Sequence, residues 1–397
     1  MSLLSDAQVL QERTVALRRA LHADPELALE LPRTQERVAA ELADLPIAVT
    51  QGTGCSSLIG VLDGDVPGPT VLLRGDMDAL PMPEDTGLEY SSHNKGVMHA
   101  CGHDAHTAML ASAARVLCGR RGELAGRVVF MFQPGEEGAF GAKVMLEHGL
   151  FDIGGRPAAA FALHQSPSMP SGMIAVKPGA TMASTNNFTI RIVGKGGHAS
   201  MPHLAVDPIP VAAELVMALQ AYVTRRVDAF DPAVVTVAKI RAGTTINVVP
   251  EDALLLGTIR TVSARTRGAV VKGVEDLAKG IASAHGCVAE VEMHEGYPVT
   301  VNDDTMAGYV RDVAAGVVGS DLVRWLPAPV MGAEDFSYVL NEVPGAMAFL
   351  GTMPPNHGGF VAPNHSNRMI LDENAMAAGV AVYAAAALSF ASAAAAE

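Results

Sequence analysis

The stretch VVFMFQPGEE, residues 128–137, runs five apolar side chains directly into Gln133-Pro134-Gly135-Glu136-Glu137. An apolar run without polar alternation is buried on both faces, as strands inside a largely parallel sheet are. The pattern recurs. Residues 70–73 run into Arg74-Gly75-Asp76-Met77-Asp78, residues 158–163 into His164, and 57–62 form a further short apolar run. Between them, apolar residues at 109, 110, 113, 116 and 117 have helical spacing within 104–117. Residues 6–23 and 34–43 read as amphipathic helices. This alternation predicts an α/β domain with a large, mostly parallel sheet. In such sheets, sites form beyond the carboxyl ends of the strands. Three strand ends and one helix start therefore deliver Asp, Glu, His and Cys to a common edge.

The pattern changes near residue 181. Residues 187–193 alternate as a strand, and 207–226 read as a helix opened by Asp207-Pro208 as N-cap and first-turn proline. Strands at 233–240 and 253–262, a helix at 266–285 and a strand at 288–293 complete a βαββαβ order, the ferredoxin-like arrangement. After Pro298 the α/β pattern returns, with a buried strand at 346–350. The expected division is 1–181 with 295–397 as one domain and 182–294 as a smaller domain inserted into it.

A chain of 397 residues exceeds one ordinary core. The net charge of −14, with no basic run, argues against nucleic acid and anionic membrane surfaces as partners. The four cysteines, Cys55, Cys101, Cys118 and Cys287, are scattered, and residues 1–10 lack a long apolar core. A disulfide framework is not expected, and a cytoplasmic location is. Residues 375–396 carry no charge and are long enough to span a bilayer, but they are mostly alanine, which favours helix without strong drive into lipid. A C-terminal helix packed on the sheet, frayed after about Ser389, is the expectation.

Cys101-Gly102-His103 places a thiolate and an imidazole two residues apart ahead of a helix, with a glycine that lets both face one ion. A buried cysteine beside a helix-capping histidine is the ordinary alternative. The nearby acidic pair tips the balance toward metal, with His99 and His106 as supporting or solvated histidines. Glu136 and Glu137 point in different directions from one loop, so one carboxylate can bind metal while its neighbour faces the attacking water; hydrolysis needs both a Lewis acid and a base. Asp76 and Asp78 suit ligands, orienters of a ligand histidine, or a phosphotransferase Asp-x-Asp. That last reading leaves Cys101, His103, Glu136, Glu137 and His164 unexplained. His198, in a glycine-rich loop at 194–200, and His365 and His357, in turn-rich sequence, read by themselves as ordinary loop histidines.

Together, RGDMDALP (74–81), MHACGHDAH (98–106), QPGEE (133–137), GGHAS (196–200) and GAEDFS (332–337) resemble the aminoacylase/carboxypeptidase-type metallopeptidases. Within them the chain is similar to the amidohydrolase branch of hippurate hydrolases, auxin-conjugate hydrolases and N-acetyl-diaminopimelate deacetylases. The match runs in order from about His22 to Asp372.

The resemblance implies metal-dependent hydrolysis of N-acyl amino acids to a carboxylic acid and an amino acid. It implies two divalent ions bridged by Cys101, with His103 and His164 completing one shell and Glu137 and His365 the other. Asp78 would orient, and Glu136 would deprotonate the attacking water and later protonate the leaving amine. The inserted domain would act as lid and dimerisation surface, and His198 would reach the partner subunit's site as oxyanion donor. Asn247 and Arg260 would receive the substrate's carboxylate end. A bridging thiolate, and His164 where many relatives have a carboxylate, depart from the wider family and broaden the plausible ions to Zn, Mn, Co or Ni. A dipeptidase or carboxypeptidase of the same family, or a non-catalytic metal-binding protein, are the alternatives.

Overall fold

The computed structural model describes residues 2–355 and 358–394, so His357 lies outside the described residues. The chain forms two compact units. The first holds residues up to Gly179, Val301–Ala328 and the chain from Asp335 onward; the second holds Ala180–Thr300 and Pro329–Glu334. The short return at 329–334 has no counterpart in the expected boundaries. It carries no periodic signal of its own.

The first unit is built on an eight-stranded sheet in the order Ala48–Gln51, Leu58–Asp63, Ala125–Gln133, Val66–Asp76, Ala159–Ser166, Gly345–Gly351, Ile174–Val176 and Val323–Trp325. Its centre is parallel: Val66–Asp76 pairs in parallel with both Ala125–Gln133 and Ala159–Ser166, which pairs in parallel with Gly345–Gly351. Leu58–Asp63 is antiparallel to Ala125–Gln133 although it too is mostly buried. A doubly apolar run reports that both faces are covered; it does not report direction. The expected N-terminal helix is two, Leu3–Val9 and Gln11–Ala23, interrupted at Leu10.

The helix His103–Gly119 packs against Val66–Asp76 and against the C-terminal helix Met376–Ala394. That last helix, expected to fray after about Ser389, extends to Ala394, as alanine's helix preference allows. Residues 373–390 are long and apolar enough to cross a membrane, yet Val380, Ala381, Tyr383, Ala384 and Ala387 are buried in the core of this unit. Tyr383 is held by its hydroxyl, which accepts from Leu163 N (2.9 Å) and donates to Arg74 O (2.6 Å), pinning the helix across two central strands.

The second unit is an antiparallel four-stranded sheet ordered Ala233–Ala242, Asp252–Thr261, Ser184–Val193, Val288–Glu295, with helices Pro208–Arg226 and Ala264–Ala284. In chain order this is βαββαβ. Asp207 caps its helix as expected, accepting from Ile209 N. Phe188, Ile190, Ile192, Leu215, Leu255, Val270 and Val274 form a separate core.

Candidate metal centre

Every residue of the expected ligand set lies in the first unit. Val66–Asp76 ends at the acidic turn, Ala125–Gln133 leads into the Glu136–Glu137 loop, and His164 stands on Ala159–Ser166. Cys101 precedes the N-cap of His103–Gly119. That N-cap is Gly102, at φ +82°, a left-handed conformation that a side chain rarely adopts. A Cβ there would also lie 2.5 Å from the Gln165 side chain. The turn lets Cys101 and His103 face the same space. Gly135, at φ +72°, plays the same part ahead of the two glutamates.

Donor atoms fall into overlapping groups. Cys101, His103 and His164 have donors within 4.8 Å of one another, as do Cys101, Glu137 and His365, and also His103, Glu136 and Glu137. Cys101 is thus common to two triads. His164 donates from Nδ1 to Gln165 O at 2.7 Å, which leaves Nε2 facing Cys101 Sγ at 3.4 Å. His103 turns Nδ1 to Asp78 Oδ1 at 3.2 Å, and its buried Nε2 has no hydrogen-bond partner. Asp78 also accepts from Glu136 N (3.0 Å) and Glu137 N (2.9 Å), so one carboxylate orients an imidazole and the loop of both glutamates.

His365 arrives from a distant loop. Its backbone N–H donates to Ala100 O at 2.8 Å, and it sits at φ +66°, unusual for a residue with a side chain. Its Nε2 lies 3.2 Å from Glu137 Oε1.

The electrostatics of this cluster suit a cation. Burial pushes the Cys101 thiol up, with His103 opposing. Burial also disfavours charged Glu137, but His365 and His103 outweigh it and hold the carboxyl low. Cys101 and Glu137 in turn raise His365 to about 10. Metal ligation at such a cluster would displace protons from the thiol and the imidazoles.

Of the remaining residues at this edge, His106 and Asp76 are engaged elsewhere. His106 donates from Nδ1 to Asp76 Oδ1 (2.6 Å) and accepts at Nε2 from Gln165 N (2.8 Å), so neither nitrogen is left for an ion. Asp76 is fully buried, with its other oxygen 2.5 Å from Arg74 Nη1. Held in this way, it is a poor phosphotransfer nucleophile. His99 is buried rather than solvated, its pKa lowered to about 3 by burial. Gln165 was not expected at all. Its amide donates to Cys101 O (2.8 Å) and Asn364 Oδ1 (2.7 Å), joining the thiolate turn to the His365 loop. Its position directly after His164 is the only sequence sign of that role.

His198, Asn247 and Arg260 lie in the second unit. Gly197–His198 pairs with Val248–Val249, and Ala199 N donates to Asn247 O (3.1 Å), which brings His198 and Asn247 together. The exposed His198 ring accepts at Nδ1 from Ser200 N (3.1 Å) and lies 2.8 Å from Ser200 Oγ, leaving Nε2 as the hydrogen-bearing nitrogen. The Arg260 side chain, half-buried on Asp252–Thr261, has no hydrogen-bond or ion-pair partner among the described residues, and burial lowers its pKa.

Residues 72–389 match the model of peptidase family M20/M25/M40. Thermostable carboxypeptidase 2 of Saccharolobus solfataricus is 36% identical over 98% of both chains. N-acetyl-L-cysteine deacetylase of Bacillus subtilis is 38% identical over 86% of this chain and 81% of its own. Among solved structures, the Bacillus subtilis YXEP protein, a dinuclear metal-binding peptidase, superposes with a TM-score of 0.82 at 32% identity, covering 97% of this chain and 99% of that one. By motif, fold and alignment, the chain belongs to peptidase family M20/M25/M40.

Proposed function

We propose that this hydrolase cleaves the amide bond of N-acyl amino acids at a centre of two divalent ions, releasing a carboxylic acid and an amino acid. The observation that carries this reading is the pair of triads sharing Cys101, with the Glu136 carboxylate beside His103 and Glu137. His103 and His164 would hold one ion, Glu137 and His365 the other, with Cys101 common to both. When bound, the ions would polarise the scissile carbonyl and acidify the attacking water. Glu136 takes the water's proton and passes it to the leaving amine. Asp78 keeps His103 and Glu136 in register.

The second unit is assigned the role of lid and dimerisation domain. His198 Nε2 donates to the oxyanion of the partner's site, and Asn247 with the unpaired Arg260 receives the substrate carboxylate. A reducing, cytoplasmic location suits the four free thiols. Zn, Mn, Co and Ni all suit a donor set of sulfur, nitrogen and oxygen. A dipeptidase or carboxypeptidase activity is the second reading, favoured by the full-length likeness to the Saccharolobus solfataricus carboxypeptidase.

The test is a panel of acetyl, benzoyl and indoleacetyl amino acids, their carboxamide analogues, and dipeptides, on metal-free protein reloaded with each ion. Acyl amino acids should be cleaved at least about tenfold faster than the carboxamides, which lack Arg260's partner. Faster cleavage of dipeptides selects the second reading, and no hydrolysis with any ion overturns both.

A further inference from the structure

The GAEDFS segment at 332–337 has no part in the chemistry above, yet its Asp335 is fully buried. Asp335 Oδ1 accepts from Gln133 Nε2 at 2.7 Å, and Oδ2 accepts from Ala142 N at 2.9 Å. Gln133 is the last residue before the loop that carries Glu136 and Glu137; Ala142 lies just after it, in the first turn of Gly141–Glu147. One carboxylate therefore ties the two ends of that loop together. Gly141 N donates to Gly135 O at 3.0 Å within the ring so formed. Arg74 backs the tie: Nε donates to Gln133 Oε1 (2.9 Å) and Nη2 lies 3.4 Å from Asp335 Oδ1. Arg74 is itself paired with Asp76 at 2.5 Å and lies against Phe336, 5.7 Å from the ring centroid.

We propose that Asp335 is a positioning residue that clasps residues 133–142 into a fixed ring and so sets the direction of the Glu136 carboxylate. The proposal rests on Glu136 as base for its effect on rate, but not for its effect on the loop. Two geometric features make the clasp specific. Its two oxygens serve two different ends, so a single acceptor cannot replace it. Its reach is fixed, so a side chain longer by one methylene does not restore both contacts.

The test combines hydrogen exchange with kinetics on the full, metal-loaded chain carrying Asp335→Asn, Asp335→Glu or Gln133→Met. Asp335→Asn keeps one acceptor and loses the charge; Gln133→Met releases one end and leaves Asp335 paired with Arg74. In all three, amides of 135–142 should exchange at least about tenfold faster than in the wild type while the central strands keep their protection. kcat should fall by roughly tenfold to a hundredfold, as for a misplaced catalytic group, with KM little changed. If Asp335→Glu restores both exchange and kcat, the residue only balances Arg74 and the clasp is overturned. Unchanged exchange in 135–142 for Gln133→Met and Asp335→Asn also overturns it, as does protection lost evenly across the sheet. An active Glu136→Gln variant would instead refute the base assignment while leaving the loop result standing.

Discussion

Cys101 Sγ and His164 Nε2 face each other at 3.4 Å because the His164 Nδ1–H is already committed to Gln165 O at 2.7 Å. The committed nitrogen fixes the tautomer, so the open nitrogen is a lone pair aimed at the thiol. A neutral imidazole and a sulfur arranged in this way could serve together as two donors to one ion. Cys101 also belongs to the triad with Glu137 and His365.

Removing the shared donor should therefore affect both shells. Cys101→Ala is expected to lower bound metal from two ions per chain to one or none, and kcat by at least about a thousandfold, since neither Lewis acid nor acidified water survives intact. Cys101→Asp keeps an anionic donor that can be shared and should retain more metal. Metal analysis after dialysis, alongside a hydrolysis assay, checks both. Full metal content in Cys101→Ala would remove the sulfur from the centre.

Asp78 touches no expected ion but accepts from His103, Glu136 and Glu137. Asp78→Ala leaves one imidazole and two backbone N–H groups unanswered in a buried site. Metal affinity or activity should fall about 10- to 100-fold, the usual effect of losing an outer carboxylate. Competition with a metal chelator measures the affinity. Asp78→Asn, which retains one acceptor oxygen, should fall between wild type and Asp78→Ala.

How much of this was legible in the chain divides along physical lines. The strand-end acids and the Cys101-Gly102-His103 turn were readable because local sequence builds them: an apolar run sets the strand, and the next few residues are its end. The two-domain pattern followed from a change of period near residue 181. His365 was not readable from its surroundings, because a backbone hydrogen bond to Ala100 brings it in from a distant part of the chain; only the family resemblance singled it out. Gln165 and Asp335 escaped assignment for the same reason, since their partners are remote in sequence, whereas His106 holds the supporting place expected of it. Strand direction at 58–63 also escaped, because burial does not encode it.

A buried ionic cluster beside the centre makes stability depend on pH in two opposite ways. Burial disfavours charged Glu84, but hydrogen bonds from His22, Ser92 N and Thr86 outweigh it and lower the carboxyl to about 2. Its stabilisation is complete above the ordinary glutamate value of 4.5 and is lost as pH falls from there toward about 2. Burial likewise disfavours charged His22, but Asp104 and Glu84 raise its pKa above 6.5. That contribution is complete below the ordinary value and is lost as pH rises through the raised one. Thermal melts of the wild type should fall more steeply between about pH 4.5 and 2 than melts of Glu84→Gln. Parallel curves would show that Glu84 carries no linked stability.

His198 should matter to rate and not to fold. Its ring is exposed and, among the described residues, bonds to Ser200 two positions on, so His198→Ala should keep its melting temperature and its metal while kcat falls about 10²- to 10³-fold, the usual loss for one oxyanion donor. Mixing His198→Ala with Glu136→Gln subunits under exchange conditions should regenerate activity, because a hybrid dimer has one site with both residues intact. Activity no greater than that of either variant alone would place His198 outside the partner's site.

If Glu136 moves the proton while its neighbours hold the ions, rate and metal content separate when its carboxylate is neutralised. The direct measurement is kcat for an N-acyl amino acid together with metal content per chain, in wild type and Glu136→Gln. Metal content should be equal in the two, and kcat of Glu136→Gln should be lower by roughly a thousandfold or more, within the range of a lost general base. Turnover within about tenfold of the wild type, or metal lost along with activity, would contradict that role for Glu136.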